Sequence, residues 1–158
     1  MNMNITPQPA TKIRAMQMSD LPNVMKVETT GHEFPWTESI IHDCILVGYS
    51  CWVIETDQGI QGHGIMSLSG DECHILNICI KPSEQRKGFG RAIMQHLIKV
   101  GKENGAKSAF LEVRASNTPA ITLYQQLGFN QIHMREGYYP APNDTREDAI
   151  VLALELNK

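Results

Sequence analysis

Asn77-Ile-Cys-Ile-Lys-Pro82, Ser83-Glu-Gln-Arg-Lys-Gly-Phe-Gly-Arg91 and Ala92-Ile-Met-Gln-His-Leu-Ile-Lys-Val-Gly-Lys-Glu-Asn-Gly105 run consecutively, and the rest of the chain is read from them. The first piece is a short apolar strand, which Pro82 ends because it has no amide hydrogen to give a ladder. The last piece places Phe89, Ile93, Leu97 and Val100 on one face, widened by Met94 and Ile98, as an amphipathic helix requires. Lys99 and Lys102 fall in its later turns, where cations suit the helix dipole, and Gly105 supplies the stop. Between strand and helix lies a basic loop. Gly88 and Gly90 leave the backbone open to close approach, and the amides of a helix start are unpaired at the positive end of the dipole. Arg86, Lys87 and Arg91 add formal charge at the same place. These are the parts of a phosphate site, although an ordinary basic strand-to-helix turn has the same composition. Gly-x-x-x-x-Gly-Lys-Ser/Thr and Gly-x-Gly-x-x-Gly are both absent, which excludes the Walker A loop and the dinucleotide fingerprint.

Around this stretch, 158 residues suit one domain with one core, and 42% apolar with 20% charged residues is ordinary for a soluble globular chain. A net charge of −3 with no basic block argues against a nucleic-acid partner. The uncharged run Cys44–Ile54 is too short to span a bilayer and is broken by Gly48 and Ser50, and the N-terminus shows no signal-peptide pattern. A cytoplasmic protein without membrane contact is expected. Cys44, Cys51, Cys73 and Cys79 have no CxxC spacing and sit in or beside apolar segments, so reduced core thiols are expected rather than disulfides. No metal is expected, the adjacent pair Cys73-His74 notwithstanding.

Met1–Thr11 is polar, with two prolines, and reads as a loose lead-in to a domain spanning residues 12–158. Lys12 opens a strand; Ser19-Asp-Leu-Pro22 signals a helix start, Leu21, Val24, Met25 and Val27 give that helix its apolar face, and Gly31 ends it. Thr37 caps a second helix reaching Leu46. Tyr49–Thr56 and Ile60–Leu68 form a hairpin about Asp57-Gln-Gly59, and a turn at Ser69-Gly-Asp71 leads into the strand ending at Ile80. After the organising helix, Ser108–Val113 is a nearly continuous apolar run, as a buried parallel strand should be. Thr118 is the expected cap of the next helix, with Pro119 at its first position, and Leu127-Gly-Phe129 closes it. Two last strands, near Asn130–Arg135 and Asp148–Leu156, flank a loop holding Tyr138-Tyr-Pro140. The order β-α-α-β-β-β-α-β-α-β-β predicts a single-domain α/β fold: a central mixed sheet flanked by helices.

Glu112 interrupts the apolar 108–113 run near its C-terminal end, where ligands of α/β sheets bind. A carboxylate there needs a partner or a use. One reading is an ion pair, with Arg114 on the same strand face or with another cation; the other is a general base whose pKa burial raises. Tyr124, six residues past the cap, lies near an apolar seam of Ile121, Leu123 and Leu127, and pattern alone favours a half-buried core tyrosine. Its phenol has nonetheless the chemistry to protonate a departing thiolate, as Glu112 has to take a proton from an amine. Phe34, Trp36, Tyr138 and Tyr139 read equally as core lids or as walls of a groove.

Gln85-Arg-Lys-Gly88-Phe-Gly90, Leu111-Glu-Val-Arg-Ala-Ser-Asn117, Ala120-Ile-Thr-Leu-Tyr124-Gln-Gln-Leu-Gly-Phe129, Phe34-Pro-Trp36, Tyr138-Tyr-Pro140 and Glu147-Asp-Ala149 occur together in one chain. The set resembles the GCN5-related N-acetyltransferases (GNAT), and within them the RimI group, bacterial acetyltransferases of the N-terminal alanine of a small-subunit ribosomal protein. The similarity runs from Ile13 onward. It implies the GNAT acyl-CoA N-acyltransferase fold, acetyl-CoA as cosubstrate, no metal, a protein N-terminus as acceptor and a monomer. It also implies Glu112 as base and Tyr124 as acid. Ile78, Cys79 and Ile80 would hold the acetyl and pantetheine arm, Arg86, Lys87, Gly88, Phe89, Gly90 and Arg91 the pyrophosphate, with Asn117 also on CoA. Phe34, Trp36, Tyr138 and Tyr139 would wall the peptide groove. Cys79 stands where this family has a small residue such as alanine, and Phe89 where it has leucine. The alternatives are an acetyltransferase for a small-molecule or lysine amine, and a CoA-binding module without turnover.

Overall fold

The computed structural model describes residues 10–156, so most of the expected lead-in over residues 1–11 lies outside the described residues. Seven strands, β1 (Lys12–Ala15), β2 (Ser50–Thr56), β3 (Gly59–Ser69), β4 (Glu72–Ile80), β5 (Ser108–Arg114), β6 (Asn130–Ala141) and β7 (Thr145–Glu155), form one sheet in the order β1-β2-β3-β4-β5-β7-β6. β4 and β5 are parallel and every other pair is antiparallel. Four helices, α1 (Leu21–Gly31), α2 (Glu38–Leu46), α3 (Phe89–Glu103) and α4 (Thr118–Gln126), cover the two faces, and the elements follow the expected order.

Strand alternation sorts the apolar residues into two cores. On one face Met94 and Leu97 of α3, with Tyr124 of α4, pack on Met66, Ile75, Leu111 and Leu152. On the other, Leu21, Val24 and Val27 of α1 and Ile41 of α2 pack on Cys51, Val53 and Ile65. Each fully buried aliphatic side chain contributes roughly 1.5–3 kcal/mol.

Two irregularities open the middle of the sheet. Met66 pairs with Ile75 but Ile65 pairs with Asn77, so Leu76 is an extra residue in β4. This bulge switches the strand's facing. Ile75 lies in the α3 core, and two residues beyond it Asn77 bonds Glu28 of α1 on the opposite face. Beyond the bulge β4 also parts from β5, since their pairing covers only Glu72–Ile75 against Ser108–Leu111. The far edge of β5 stays paired with β7 through Arg114. A wedge therefore opens between Ile78 and Glu112.

Three expectations are corrected locally. Asn117, not Thr118, caps α4: its Oδ1 accepts from the Ala120 amide at 3.3 Å, and Pro119 takes the second helical position. Tyr138-Tyr139-Pro140 lies within β6 rather than in a loop. A wide bulge, Arg135 opposite Ala149 but Tyr139 opposite Glu147, carries the strand through them. Gly137 absorbs it with a φ of 57° and donates its amide to Asp148 Oδ1 at 2.9 Å. Finally, the helix start read at Ser19-Asp-Leu-Pro22 has no side-chain cap: Asp20 is the N-cap residue of α1, but its side chain is used elsewhere. Its carboxylate takes Arg14 Nη1 and Nη2 at 2.8 and 2.9 Å and the Gln17 amide at 2.8 Å.

Arg14 thereby holds the Asp20 carboxyl below the usual carboxylate range, against the opposing effect of burial. A folded-state pKa that is depressed adds stability above the unfolded value and loses it as pH falls through the folded one. Asp20→Asn is expected to cost about 1.5–3 kcal/mol at pH 7. The difference should shrink from about pH 4 downward. Thermal denaturation of both proteins across that range checks this; a difference independent of pH overturns the ion-pair account.

Candidate active site

The loop from Lys81 into α3 builds one wall of a cleft on the far side of the wedge. Arg86 takes a φ of 65° and Gly88 one of 89°, which turn the chain into the helix with Gly88 as its N-cap residue. A Cβ built on Gly88 would meet no atom within 4 Å, so the space in front of the amides is open. Arg86, Gly88, Gly90 and Arg91 line this cleft with Ile78, Cys79, Ile80 and Asn117, as does Gln85, whose Nε2 donates to Ile80 O at 3.2 Å. Lys87 and Phe89 do not line it. Lys87 turns away to Glu84 at 2.8 Å. The opposite wall is α4, through Tyr124 and through Pro119, Ala120 and Leu123; the last three sequence reasoning missed although the βαβ order puts α4 beside α3.

The Lys81 amide donates to Gln61 O at 2.8 Å, toward β3. Strand alternation then turns the backbone groups of Ile80 and Ile78 the other way, into the wedge. Cys79 points instead into the α1 core, where its Sγ donates to Val27 O at 3.4 Å and burial, then the charge of Glu28, push the thiol up to about 12. The larger residue at this position fits because Gly31 faces it; a Cβ there would collide with Cys79 Sγ.

A second cleft lies across the wedge, lined by Phe34, Trp36, Glu112, Arg114 and Tyr139 among others. Arg114 fastens its walls together. Its guanidinium lies 4.9 Å from the Phe34 ring and 4.5 Å from the Tyr139 ring, and it donates to Pro140 O at 2.7 Å and Glu147 Oε1 at 3.2 Å. Arg114 therefore does not pair with Glu112. Arg135 does, at 3.3 Å, with a side chain 51% exposed. Such a rim pair is worth ~0–1 kcal/mol and yields readily. The deep burial expected for Glu112 is not found either: its side chain is 28% exposed, on the open face. Tyr138 stands outside this cleft, edge-on to Tyr139 with ring centres 5.0 Å apart. The charge of Glu112 raises its phenol pKa.

His32, Ile78, Asn117 and Tyr124 line both clefts and mark where they meet. Tyr124 belongs to the α3–α4 core and Glu112 to the opposite sheet face, yet the parting of β4 from β5 lets both reach the same opening. Burial, then Tyr139, pushes the Tyr124 phenol up to about 12, so it holds its proton throughout the physiological range. The Asn117 amide nitrogen has no hydrogen-bond partner among the described residues while its oxygen caps α4.

Beneath the second cleft is a carboxylate that sequence reasoning missed. Glu28 is 0% exposed. Its Oε2 accepts from the Trp36 amide at 2.9 Å, and its Oε1 from His63 Nε2 at 2.9 Å and Asn77 Nδ2 at 3.1 Å. Burial works to raise its pKa, but the His63 bond, the Trp36 amide and the neighbouring histidines outweigh it and leave the carboxyl lowered. The node ties α1 to the Phe34–Trp36 loop, β3 and the bulged part of β4. The possible ligand atoms of Glu28, His63 and Cys79 lie within 4.8 Å of one another. All three are already hydrogen-bonded, and a thiol near 12 resists the deprotonation a metal requires.

Comparisons with known proteins bear on the family and the fold. The profile of the acetyltransferase (GNAT) family matches residues 13–129. The [ribosomal protein bS18]-alanine N-acetyltransferase of Escherichia coli K12 is 37% identical over 145 residues, covering 92% of this chain and 97% of that protein. The crystal structure of the ribosomal-protein-S18-alanine N-acetyltransferase from Escherichia coli superposes with a TM-score of 0.88 at 36% identity, over 94% of this chain and 96% of that one. A putative acetyltransferase from Salmonella typhimurium, determined with its cofactor acetyl-CoA, shares the fold with a TM-score of 0.79 at 16% identity, over 94% of this chain and 95% of the other.

Proposed function

The chain belongs to the GNAT family of acetyl-CoA-dependent N-acetyltransferases, and on that premise we propose that it acetylates the N-terminal alanine of ribosomal protein bS18. Similarity to the E. coli enzyme along nearly the whole chain of both proteins supports the acceptor. The observation that carries the mechanism is the meeting of two clefts at the wedge between β4 and β5, with Tyr124 common to both and Glu112 facing one.

In this reading the pyrophosphate of acetyl-CoA rests on the Arg86–Arg91 loop, with Asn117 against the CoA arm. The pantetheine arm runs along Ile78–Ile80 like an added strand, its amides meeting the backbone groups turned into the wedge. An amide there also polarises the thioester carbonyl. The acceptor N-terminus enters between Phe34-Pro-Trp36 and Tyr139. Glu112 takes a proton from its nitrogen, directly or through water, and Tyr124 gives one to the departing sulfur. The burial that raises Tyr124 also raises a thiol expelled beside it, which narrows the gap to the ordinary thiol value of about 8.5. The enzyme works in the cytoplasm as a monomer; among the described residues no helix is long and apolar enough to cross a membrane.

The test is release of CoA thiol with a bS18 N-terminal peptide and with the same peptide N-terminally blocked. Turnover on the free peptide alone is expected. Equal turnover on both points to a lysine acceptor and overturns the α-amine reading; activity on small amines alone overturns the protein acceptor.

The groove assignment has its own check. Trp36→Ala and Tyr139→Ala are each expected to raise KM for the peptide about tenfold while leaving KM for acetyl-CoA within twofold, the cost of losing one ring contact of ~1–1.5 kcal/mol. Equal effects on both substrates would make these rings core lids.

A further inference from the structure

We propose that His32 is a further catalytic residue, the acceptor of the proton that the substrate's α-ammonium sheds before it attacks, with Glu28 as its positioning counter-charge. The proposal rests on the N-terminal acetyltransferase reading above. Proton bookkeeping creates the need. An α-amino group has a pKa of about 8 and arrives mostly as the ammonium at pH 7. Its nitrogen carries three hydrogens, and the product amide nitrogen carries one. As the N–C bond forms and the C–S bond breaks, the sulfur takes the C–S electron pair and one proton from Tyr124. Two protons must still leave the nitrogen. One goes to Glu112 and, through solvent, makes good the loss at Tyr124. The other is the net proton of the reaction, and it needs its own acceptor and a way out.

His32 is placed for this. Of the four residues common to both clefts, His32 alone carries an imidazole, a side chain suited to passing a proton. It follows the last turn of α1, its amide bonded to Glu28 O at 3.2 Å, where the helix dipole favours a cation. Its Nε2 lies 3.3 Å from Asn77 Oδ1 and 3.8 Å from Glu28 Oε1. Its side chain is 37% exposed, which gives the proton an exit to solvent.

Charged groups surround this imidazole. The carboxylate of Glu28 faces it while also accepting from the Trp36 amide, His63 and Asn77. Glu112 adds a second negative charge across the acceptor cleft. Arg114 is spoken for by Glu147, and Arg86 and Arg91 face the place assigned to pyrophosphate. Cys79, Tyr124 and Tyr139 are pushed up to about 12 and stay neutral.

The test is the pH profile of kcat/KM for a bS18 N-terminal peptide in wild type, His32→Gln and Glu112→Gln. His32→Gln should be roughly 10- to 100-fold slow near pH 6.5 and approach wild type above about pH 9, where the amine arrives neutral. KM for acetyl-CoA should not change. His32→Ala should regain rate at about pH 7 when imidazole is added, a rescue that a structural role would not give. A constant ratio to wild type at every pH, or no imidazole rescue, overturns the proposal. If Glu112→Gln is slow while both His32 variants follow wild type, His32 falls and the acetyltransferase reading stands. If wild type itself leaves the peptide unmodified, both fall.

Discussion

Gly88→Asp is expected to fold and to bind acetyl-CoA on the order of 100-fold more weakly, the loss of one charge-assisted phosphate contact plus a repulsion. Gly88 stands at the start of α3 with a φ of 89°, and its carbonyl accepts from the Ala92 amide at 3.0 Å, so the turn is part of the helix. No protein atom lies within 4 Å of where a Cβ would be, and the space in front is the cleft between Arg86, Arg91 and α4. Aspartate puts a carboxylate into that space. Gly88→Ala separates the two causes, because alanine brings only the strain of a left-handed residue, roughly 1–2 kcal/mol. Calorimetric titration with CoA reads both. If folded Gly88→Asp binds CoA as wild type does, the pyrophosphate sits elsewhere. If Gly88→Ala loses as much as Gly88→Asp, the loop's shape decides and charge does not.

What the chain revealed as sequence was whatever depends on neighbours in sequence. The stripe Ile93-Met94-Leu97 carries its own period, Thr37 caps α2 through a bond to Ile40 only three residues on, and Gly105 and Gly128 end segments with positive φ. What stayed hidden depends on pairing across the sheet. No glycine or proline marks the bulge at Leu76; it exists because β3 and β4 pair in different registers on its two sides. Nor does any residue of β5 announce that β4 leaves it after Leu111. The Glu28 node joins residues 28, 36, 63 and 77, which no window spans. One signal was present: Glu28 stands seven and four residues along the apolar stripe from Leu21 and Val24, where a charge has no business unless it is paired. Tyr138-Tyr139-Pro140 looked like a loop because proline breaks ladders, but β6 is the outermost strand, where proline is tolerated.

In the proposed reaction the wedge lets two chemically opposite groups work on one bond. In a continuous parallel pair the carboxylate of Glu112 and the phenol of Tyr124 would be separated by the sheet itself. Because β4 departs from β5, the proposal has Glu112 reach a thioester lying along Ile78 from one face and Tyr124 from the other. A base on the amine side and an acid on the sulfur side is the arrangement acyl transfer needs, since proton removal and proton delivery then do not compete for one site.

Glu112→Gln and Tyr124→Phe are therefore each expected to lower kcat by on the order of 10²–10⁴ in folded protein, with little change in KM for acetyl-CoA. Their remedies should differ. Tyr124 acts on the sulfur, so an acetyl donor with a more acidic thiol, whose thiolate leaves without help, should restore much of the rate of Tyr124→Phe. The same donor should leave Glu112→Gln slow, because the proton on nitrogen is untouched by the leaving group. Loss of the Tyr124 hydroxyl is a mild change to the core: the ring still packs 6.2 Å from Phe129. Glu112→Gln in turn loosens only the exposed Arg135 and the Tyr138 phenol that bonds the carboxylate. Neither variant should lower thermal stability by more than about 1 kcal/mol. Steady-state rates with two donors of different thiol acidity, on one peptide, give the answer. Equal rescue of both variants, or of neither, would mean that the two residues shape the site and carry no proton.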